Sequence, residues 1–255
     1  VSELLLSAKV FDINHFELLK TLLGQDEMSD FLANHQGRDF LNPNSPELKK
    51  VLLHFLPEYV AQMAEQFPPT ETEVLYPQGS NTEAQQILSK LFHPGVPAGN
   101  LDINSGYFGN VLSSDQCDYV FKVSKRELKP LVHQPAHTLP ALDEHGGKEF
   151  IPQQYVIQGK NGRVAVLQKK LDLKAMKCVN VYTPQNELAS LLSPALQDSN
   201  NRNRLGRFCQ WFRATVSKYH MMPDLVGDNL FMGIAADGEL DIKFVDTKEC
   251  WDLGP

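Results

Sequence analysis

The apolar residues of this 255-residue sequence change their spacing at one point, and this change constrains the fold more than any other feature. Before about residue 93 they recur at intervals of three and four, as on one face of an α-helix. After a proline and glycine cluster at His93–Gly99 they form short runs rich in Val, Ile, Tyr and Phe, which is typical of β-strands. We therefore expect a helical region over residues 1–95, including a short helix at Asn81–Phe92, followed by a part that contains a sheet.

Four strands are predicted after this cluster, separated by polar turns. They cover Gly109–Leu112, Cys117–Val123, Gln154–Gln158 and Arg163–Leu167. The segment between the second and third strands has room for a short helix. Further along the chain, two helices and then a hairpin are predicted at Glu187–Leu192, Arg204–Tyr219, Leu230–Ile234 and Asp241–Val245. This order predicts an α+β fold.

The charge and the apolar pattern of the chain disfavour two classes of partner, nucleic acids and membranes. A formal net charge of −7 gives no general attraction to nucleic acid or to an anionic membrane surface, and no apolar run approaches the roughly 20 residues of a membrane span. The four cysteines lack any paired CxxC spacing, which indicates reduced structural residues. We expect no nucleic-acid partner, no membrane span and a cytoplasmic location, or delivery from the cytosol by a signal that this sequence does not contain.

Three polar residues near the end of the sequence have the types and the spacing that a phosphoryl-transfer site needs. Asp224 and Asn229 are separated by five positions, and Asp246 follows the predicted hairpin. The alternative for Asp224 is a helix-capping or turn residue. The presence of the other two residues favours the functional interpretation.

Two features upstream add to this set. In the segment Gly106–Gly109, two glycines three residues apart lead into a strand, a spacing that lets the backbone approach phosphates closely. A structural turn is the alternative, and a dinucleotide site is disfavoured because no helix follows. The next strand carries Lys122 as a single lysine among apolar neighbours, where a solvated strand face would alternate. Lys122 is therefore a candidate for binding the α- and β-phosphates.

Together these motifs resemble the protein kinase-like fold, including the small-molecule phosphotransferases that share it. The resemblance covers roughly Gly99–Thr247 and rests on the order of the parts: glycine loop, strand lysine, helix acid, two strands into a hinge, catalytic loop and metal-binding aspartate. It implies a bilobal fold with a small antiparallel sheet over residues 96–172 and a short helical lobe over residues 173–255, which contains the catalytic loop and the hairpin. The helical region before residue 96 would be an extension.

The resemblance also implies roles at the phosphate end of the site, with ATP and Mg²⁺ as ligands. Asp224 would orient the acceptor hydroxyl and take its proton, while Asn229 and Asp246 would hold Mg²⁺. Lys122 would be paired with a glutamate from the helix between the second and third strands. Glu144 is the first choice for this partner and Glu149 the second.

The remaining roles concern the nucleotide. The glycine loop, with Gly106, Tyr107, Phe108 and Gly109, would cover the phosphates. The backbone of the hinge, at about residues 168–172 and including Lys169 and Leu171, would bind the adenine.

Two positions depart from the common kinase pattern. Met222 stands two residues before Asp224, where eukaryotic-type kinases have His, and Thr247-Lys248 follows Asp246 in place of Phe-Gly. Nine residues follow Asp246, so we expect an atypical, minimal member without a long activation segment. The predicted function is ATP- and Mg²⁺-dependent transfer of the γ-phosphoryl group to a protein or small-molecule hydroxyl. A pseudokinase or protein-interaction module that binds nucleotide without transfer is the alternative, and nucleotidyl transfer also stays open.

Overall fold

Six strands of the chain form one antiparallel sheet, in the order β1-β5-β6-β4-β3-β2. They are β1 (Glu73–Tyr76), β2 (Leu101–Ser105), β3 (Gly109–Ser114), β4 (Tyr119–Ser124), β5 (Gln154–Gln158) and β6 (Val164–Lys169). The strands β3 to β6 were predicted from the sequence, whereas β1 and β2 were not. The α+β class is confirmed.

The structure is a computed structural model, and it describes residues 56–57, 59–92, 101–105, 109–124, 135–172, 176–219, 221–223, 229–245 and 250–252. The chain divides into two compact units. The first comprises Val1–Glu127 with Tyr155–Gln168, and the second comprises Leu128–Gln154 with Lys169–Pro255. The predicted boundary at His93–Gly99 lies outside the described residues.

The first unit packs helices on one face of the sheet. Residues 59–66 are helical, and helix α1 (Asn81–Phe92) buries the residues that recur every three or four positions: Ala84, Ile87, Leu88, Leu91 and Phe92. At the centre of this core, the ring of Phe121 on β4 meets the rings of Phe67 and Phe92 edge-on, each with centroids 5.1 Å apart. The described part of the N-terminal helical region therefore shares one core with the sheet.

The second unit consists of helices and two smaller sheets. Its helices are α2 (Pro135–Asp143), α3 (Gln185–Ala195) and α4 (Ser199–Tyr219), and a 3-10 helix spans Glu144–Glu149. Its strands are β7 (Met176–Val179), β8 (Met221–Pro223), β9 (Leu230–Ile234), β10 (Leu240–Phe244) and β11 (Cys250–Asp252). The strands form a sheet of order β10-β9-β7 and a separate pair β11-β8.

Aromatic residues fill the core of the second unit. Trp211 of α4 is 1% exposed, and its ring lies against those of Phe150, Phe208 and Phe244. Because Phe244 belongs to β10 and Phe150 follows the 3-10 helix, this cluster fixes the hairpin β9-β10 against α4. Among the helices that the structure describes, none has the length and apolar character needed to cross a bilayer.

Candidate functional site

Lys122 lies in the middle of β4, on the face of the sheet that is turned away from the core of the first unit. Its neighbours Phe121 and Val123 are 0% and 1% exposed, while Lys122 itself is half-buried. The strand therefore alternates, and the sequence-based premise that it does not was wrong. The alternation was hidden because the second face also carries an apolar residue, Val120, which is half-buried.

Other apolar residues share the face that carries Lys122. Val111 on β3 lies directly opposite Lys122 in the ladder and is half-buried. Val156 and Val166, on β5 and β6, are 0% and 3% exposed but lie outside the core cluster that contains Tyr155, Ile157, Ala165 and Leu167. The face of the sheet that carries Lys122 is thus largely apolar. Val111 and Val120 were not identified from the sequence as members of this surface, although the two-residue period of the strands would have placed them there.

The predicted glycine loop falls between two paired strands. Ser105 at the end of β2 pairs with Asn110 in β3, and Gly109 at the start of β3 pairs with Ser124 in β4. The joining residues Gly106–Phe108, which include most of the predicted phosphate contacts, lie outside the described residues. The structure therefore brings the strand that leaves this loop beside the strand of Lys122.

The predicted hinge follows directly from the sheet. Lys169 is the last residue of β6, its side chain is exposed, and its backbone N–H donates to the carbonyl oxygen of Gln153 at 2.8 Å. Leu171, two residues on, is half-buried. The backbone N–H of Lys169 is therefore already paired within the protein.

Both glutamates proposed as partners of Lys122 lie in the 3-10 helix Glu144–Glu149. Glu144 is its first residue and is exposed. The carboxylate of Glu149 accepts two hydrogen bonds from the Arg207 guanidinium, at 2.9 and 2.6 Å, and lies 3.2 Å from Nε of Arg204. The hydrogen bonds from Arg207 hold the pKa of Glu149 below its ordinary value, against a smaller opposing effect of burial. Glu149 is thus engaged with two arginines of α4.

Asn229 lies at the open end of the hairpin β9-β10 and is 8% exposed. Leu230 and Phe244 form the last pair of the ladder. Beyond this pair, the N–H of Val245 donates to the carbonyl oxygen of Asn229 at 2.7 Å. The hairpin therefore brings Asn229 beside the residue that immediately precedes Asp246 in the chain.

Asp224 and Asp246 themselves lie outside the described residues. Across the described ranges, no three His, Cys, Asp or Glu side chains cluster in a way that would hold a metal ion. Of the predicted metal ligands, the structure therefore describes Asn229 alone.

No family model matches this chain, and no curated protein matches it in sequence.

Proposed function

We propose that this protein is an atypical kinase, an ATP- and Mg²⁺-dependent phosphotransferase that moves the γ-phosphoryl group to a hydroxyl of a protein or a small molecule. The order of strands in the six-stranded sheet is the observation that supports this proposal most. The strand β4 carries Lys122. On one side it has the glycine hairpin, which is the strand pair β2-β3 joined by the predicted glycine loop, and on the other side it has β6, which ends at Lys169. The predicted phosphate loop, lysine and hinge thus belong to three adjacent strands.

This arrangement suits a nucleotide for a geometric reason. Neighbouring strands lie about 4.8 Å apart, so the glycine hairpin and β6 are separated by roughly 10 Å across β4. A nucleotide with its base at the hinge and its phosphates under the glycine loop would pass over Lys122. Val111 and Val120, on the same face as Lys122, would supply apolar contacts to the base or the ribose.

The hairpin β9-β10 supports the metal part of the proposal. A magnesium site requires oxygen ligands, and the amide oxygen of Asn229 with the carboxylate of Asp246 would form such a donor set. The hydrogen bond from the Val245 N–H to the carbonyl oxygen of Asn229 holds Asn229 beside the residue that precedes Asp246 in the sequence. Bound Mg²⁺ would neutralise charge on the phosphates.

The residues of the chain would then divide the reaction among them. Asp224 would hold the acceptor hydroxyl by accepting its hydrogen bond, and would take its proton as the oxygen attacks the γ-phosphorus. The new bond joins the acceptor oxygen to phosphorus, the bond from phosphorus to the β,γ-bridging oxygen breaks, and ADP leaves. Lys122 would hold the α- and β-phosphates during this transfer. A bilobal kinase-like arrangement of the two units is part of the proposal.

Transfer from labelled ATP tests the proposal directly. Purified protein is incubated with Mg²⁺ and ATP labelled at the γ-phosphorus. Label in the protein itself reports transfer to a hydroxyl, and label in inorganic phosphate reports transfer to water. We expect transfer that Asp224→Asn and Asp246→Asn reduce by at least about 100-fold, because each removes a carboxylate from the site. Asp115→Asn, which changes an exposed turn residue of the first unit, should leave transfer unchanged.

The other outcomes separate the alternatives. Incorporation of label from α-labelled ATP would indicate nucleotidyl transfer. Magnesium-dependent stabilisation by ATP with no transfer of either label would indicate a pseudokinase, since a ligand that binds only the folded state raises its stability. Transfer that persists in both aspartate variants would contradict the proposed site.

A further inference from the structure

Asn201 lies in the first turn of α4 and is only 4% exposed. Its side chain makes three hydrogen bonds, all to backbone groups. Nδ2 donates to the carbonyl oxygens of Ala195 and Gly238, each at 3.0 Å, and Oδ1 accepts the N–H of Leu240 at 2.7 Å. One buried side chain thus joins the end of α3 and the start of α4 to the turn of the hairpin β9-β10.

These three bonds use both amide hydrogens of Asn201 and its carbonyl oxygen. A buried asparagine with every donor engaged holds one orientation, because any rotation leaves a buried polar group without a partner. The helix turn that carries Asn201 is itself fixed. Asp198 accepts the N–H of Asn200 at 2.6 Å in the manner of an N-terminal cap. The Asn201 side chain therefore links the helices to the hairpin in one fixed orientation.

Because its two strands are paired along their whole length, the hairpin is constrained at its open end by the bonds that Asn201 makes at its turn. Five consecutive residues of β10, Leu240 to Phe244, pair with Ile234 to Leu230 of β9 without a bulge, so the hairpin moves as one body. A second attachment lies near the open end, where the N–H of Phe244 donates to the carbonyl oxygen of Phe150 at 2.7 Å. Two attachments at opposite ends of a rigid element determine its tilt as well as its position.

We propose that Asn201 is a positioning residue that sets the tilt of the hairpin and thereby places Asn229, beside Val245 at the open end, to bind Mg²⁺. The metal-binding part of this inference rests on the proposed function. Asn201 lies at the turn end of the hairpin and Asn229 at the open end, so Asn201 acts on the site through the strands and not by contact.

The test compares Asn201→Ala with Thr215→Val in the full chain. Thr215 is 1% exposed on the same helix, and its hydroxyl donates to the carbonyl oxygen of Trp211 within that helix at 3.0 Å. Thr215→Val is therefore a buried polar change in α4 that leaves the hairpin bonds intact. The first readout is hydrogen exchange of the Leu240 and Val245 amides, relative to the Phe208 amide, without nucleotide. The second is the Mg²⁺ concentration that half-saturates ATP binding, measured by titration calorimetry.

We expect Asn201→Ala to speed relative exchange at both Leu240 and Val245, and to raise the half-saturating Mg²⁺ concentration by about 10- to 100-fold, as for other residues that orient metal ligands. Thr215→Val should leave both readouts within about twofold. Faster exchange confined to Leu240, or unchanged Mg²⁺ dependence despite faster exchange at Val245, would overturn the inference. If the unaltered protein binds no ATP with Mg²⁺, the proposed function fails, and exchange at Val245 still decides whether Asn201 fixes the open end of the hairpin.

Discussion

Trp211 donates its indole N–H to the carbonyl oxygen of Leu142 at 2.7 Å. This buried bond ties α4 to the end of α2, and the 3-10 helix that carries Glu144 and Glu149 continues from there. Gly147 packs directly against the bonded pair. A methyl group built on Gly147 would overlap the carbonyl group of Leu142 and approach Nε1 of Trp211 to 2.6 Å. The indole bond therefore requires glycine at position 147.

The first prediction is that Gly147→Ala destabilises the protein. The added methyl group must displace either the Leu142 backbone or the Trp211 ring from the aromatic core, and we expect a loss of about 2–3 kcal/mol in the free energy of unfolding. Gly206→Ala is the matched control. Gly206 is an exposed residue of α4, and no described atom lies within 4 Å of its added methyl group. Alanine at position 206 should raise the free energy of unfolding by about 0.5–1 kcal/mol.

Chemical denaturation of both variants measures these changes. A Gly147→Ala protein as stable as the unaltered one would show that the core repacks freely around the indole. The result would then contradict the packing described for this position.

The second prediction concerns Lys122. Lys122→Met keeps an unbranched side chain on the half-buried strand position and removes the ammonium group, and chemical denaturation checks that the variant still folds. The dissociation constant for ATP should rise by about 10- to 100-fold, because a charge-assisted hydrogen bond to phosphate is lost. Calorimetric titration with ATP measures it. Lys177→Met, on an exposed position of β7, is the control and should bind ATP as the unaltered protein does.

The third prediction concerns Asn229. Asn229→Asp keeps an oxygen donor where the amide oxygen lies, whereas Asn229→Leu replaces the amide by an apolar group of similar size. We expect the Asp variant to retain magnesium-dependent thermal stabilisation by ATP. In the Leu variant, the Mg²⁺ concentration that half-saturates this stabilisation should rise by at least about tenfold. Equal Mg²⁺ dependence in the two variants would show that the side chain of Asn229 holds no metal. Exchange of the Val245 amide reports whether each variant keeps the hairpin closed.

Elements that contain several apolar residues were predictable from the sequence. Helix α1 has the predicted bounds Asn81–Phe92, because its buried residues recur every three or four positions along the whole helix. The strands β5 and β9 also have their predicted bounds, and β3, β4, β6 and β10 begin and end within two residues of them. In each case several apolar residues specify the element locally, so no distant contact is needed to define it.

Most strands that escaped prediction are very short, and β1 also depends on a distant partner. β1 has four residues and follows the prolines Pro68 and Pro69, which favour a turn interpretation. It is a strand because Glu73 and Val74 pair with Gln158 and Ile157 of β5, more than 80 residues later. Such pairing leaves no periodic signal in four residues. β7, β8 and β11 have only three or four residues, and β2 has two apolar residues among its five.

The candidate site shows the same limit. Residue type and spacing made Lys122 and Asn229 candidates, a prediction that stays open, but they could not predict the contacts among the residues of the candidate site. Glu149 meets Arg207 across 58 positions of sequence, and Asn201 meets Leu240 across 39. Neither pair belongs to a motif, so the sequence suggested Glu149 as a partner for Lys122 and gave no role to Asn201.

The last prediction uses the pKa of Glu149. Its hydrogen bonds from Arg207 lower this pKa in the folded protein, while in the unfolded chain it returns to about 4.3. A carboxylate with a lowered folded pKa stabilises the fold fully above its unfolded pKa, and this stabilisation is lost as pH falls through the folded pKa. Glu149→Gln should therefore be less stable than the unaltered protein near neutral pH, by about 1 kcal/mol because the pair is partly exposed. The difference should shrink steadily as the pH falls below about 4.

Urea denaturation of the two proteins over this pH range measures the difference. Glu71→Gln is the control, because Glu71 forms an exposed ion pair with Lys160 at 3.3 Å and such pairs contribute little to stability. A stability difference for Glu149→Gln that stays constant or widens on acidification would contradict the lowered pKa. The effect would then arise from packing or hydrogen bonding that the carboxyl and amide groups do not share, and not from the charge that Arg207 and Arg204 stabilise.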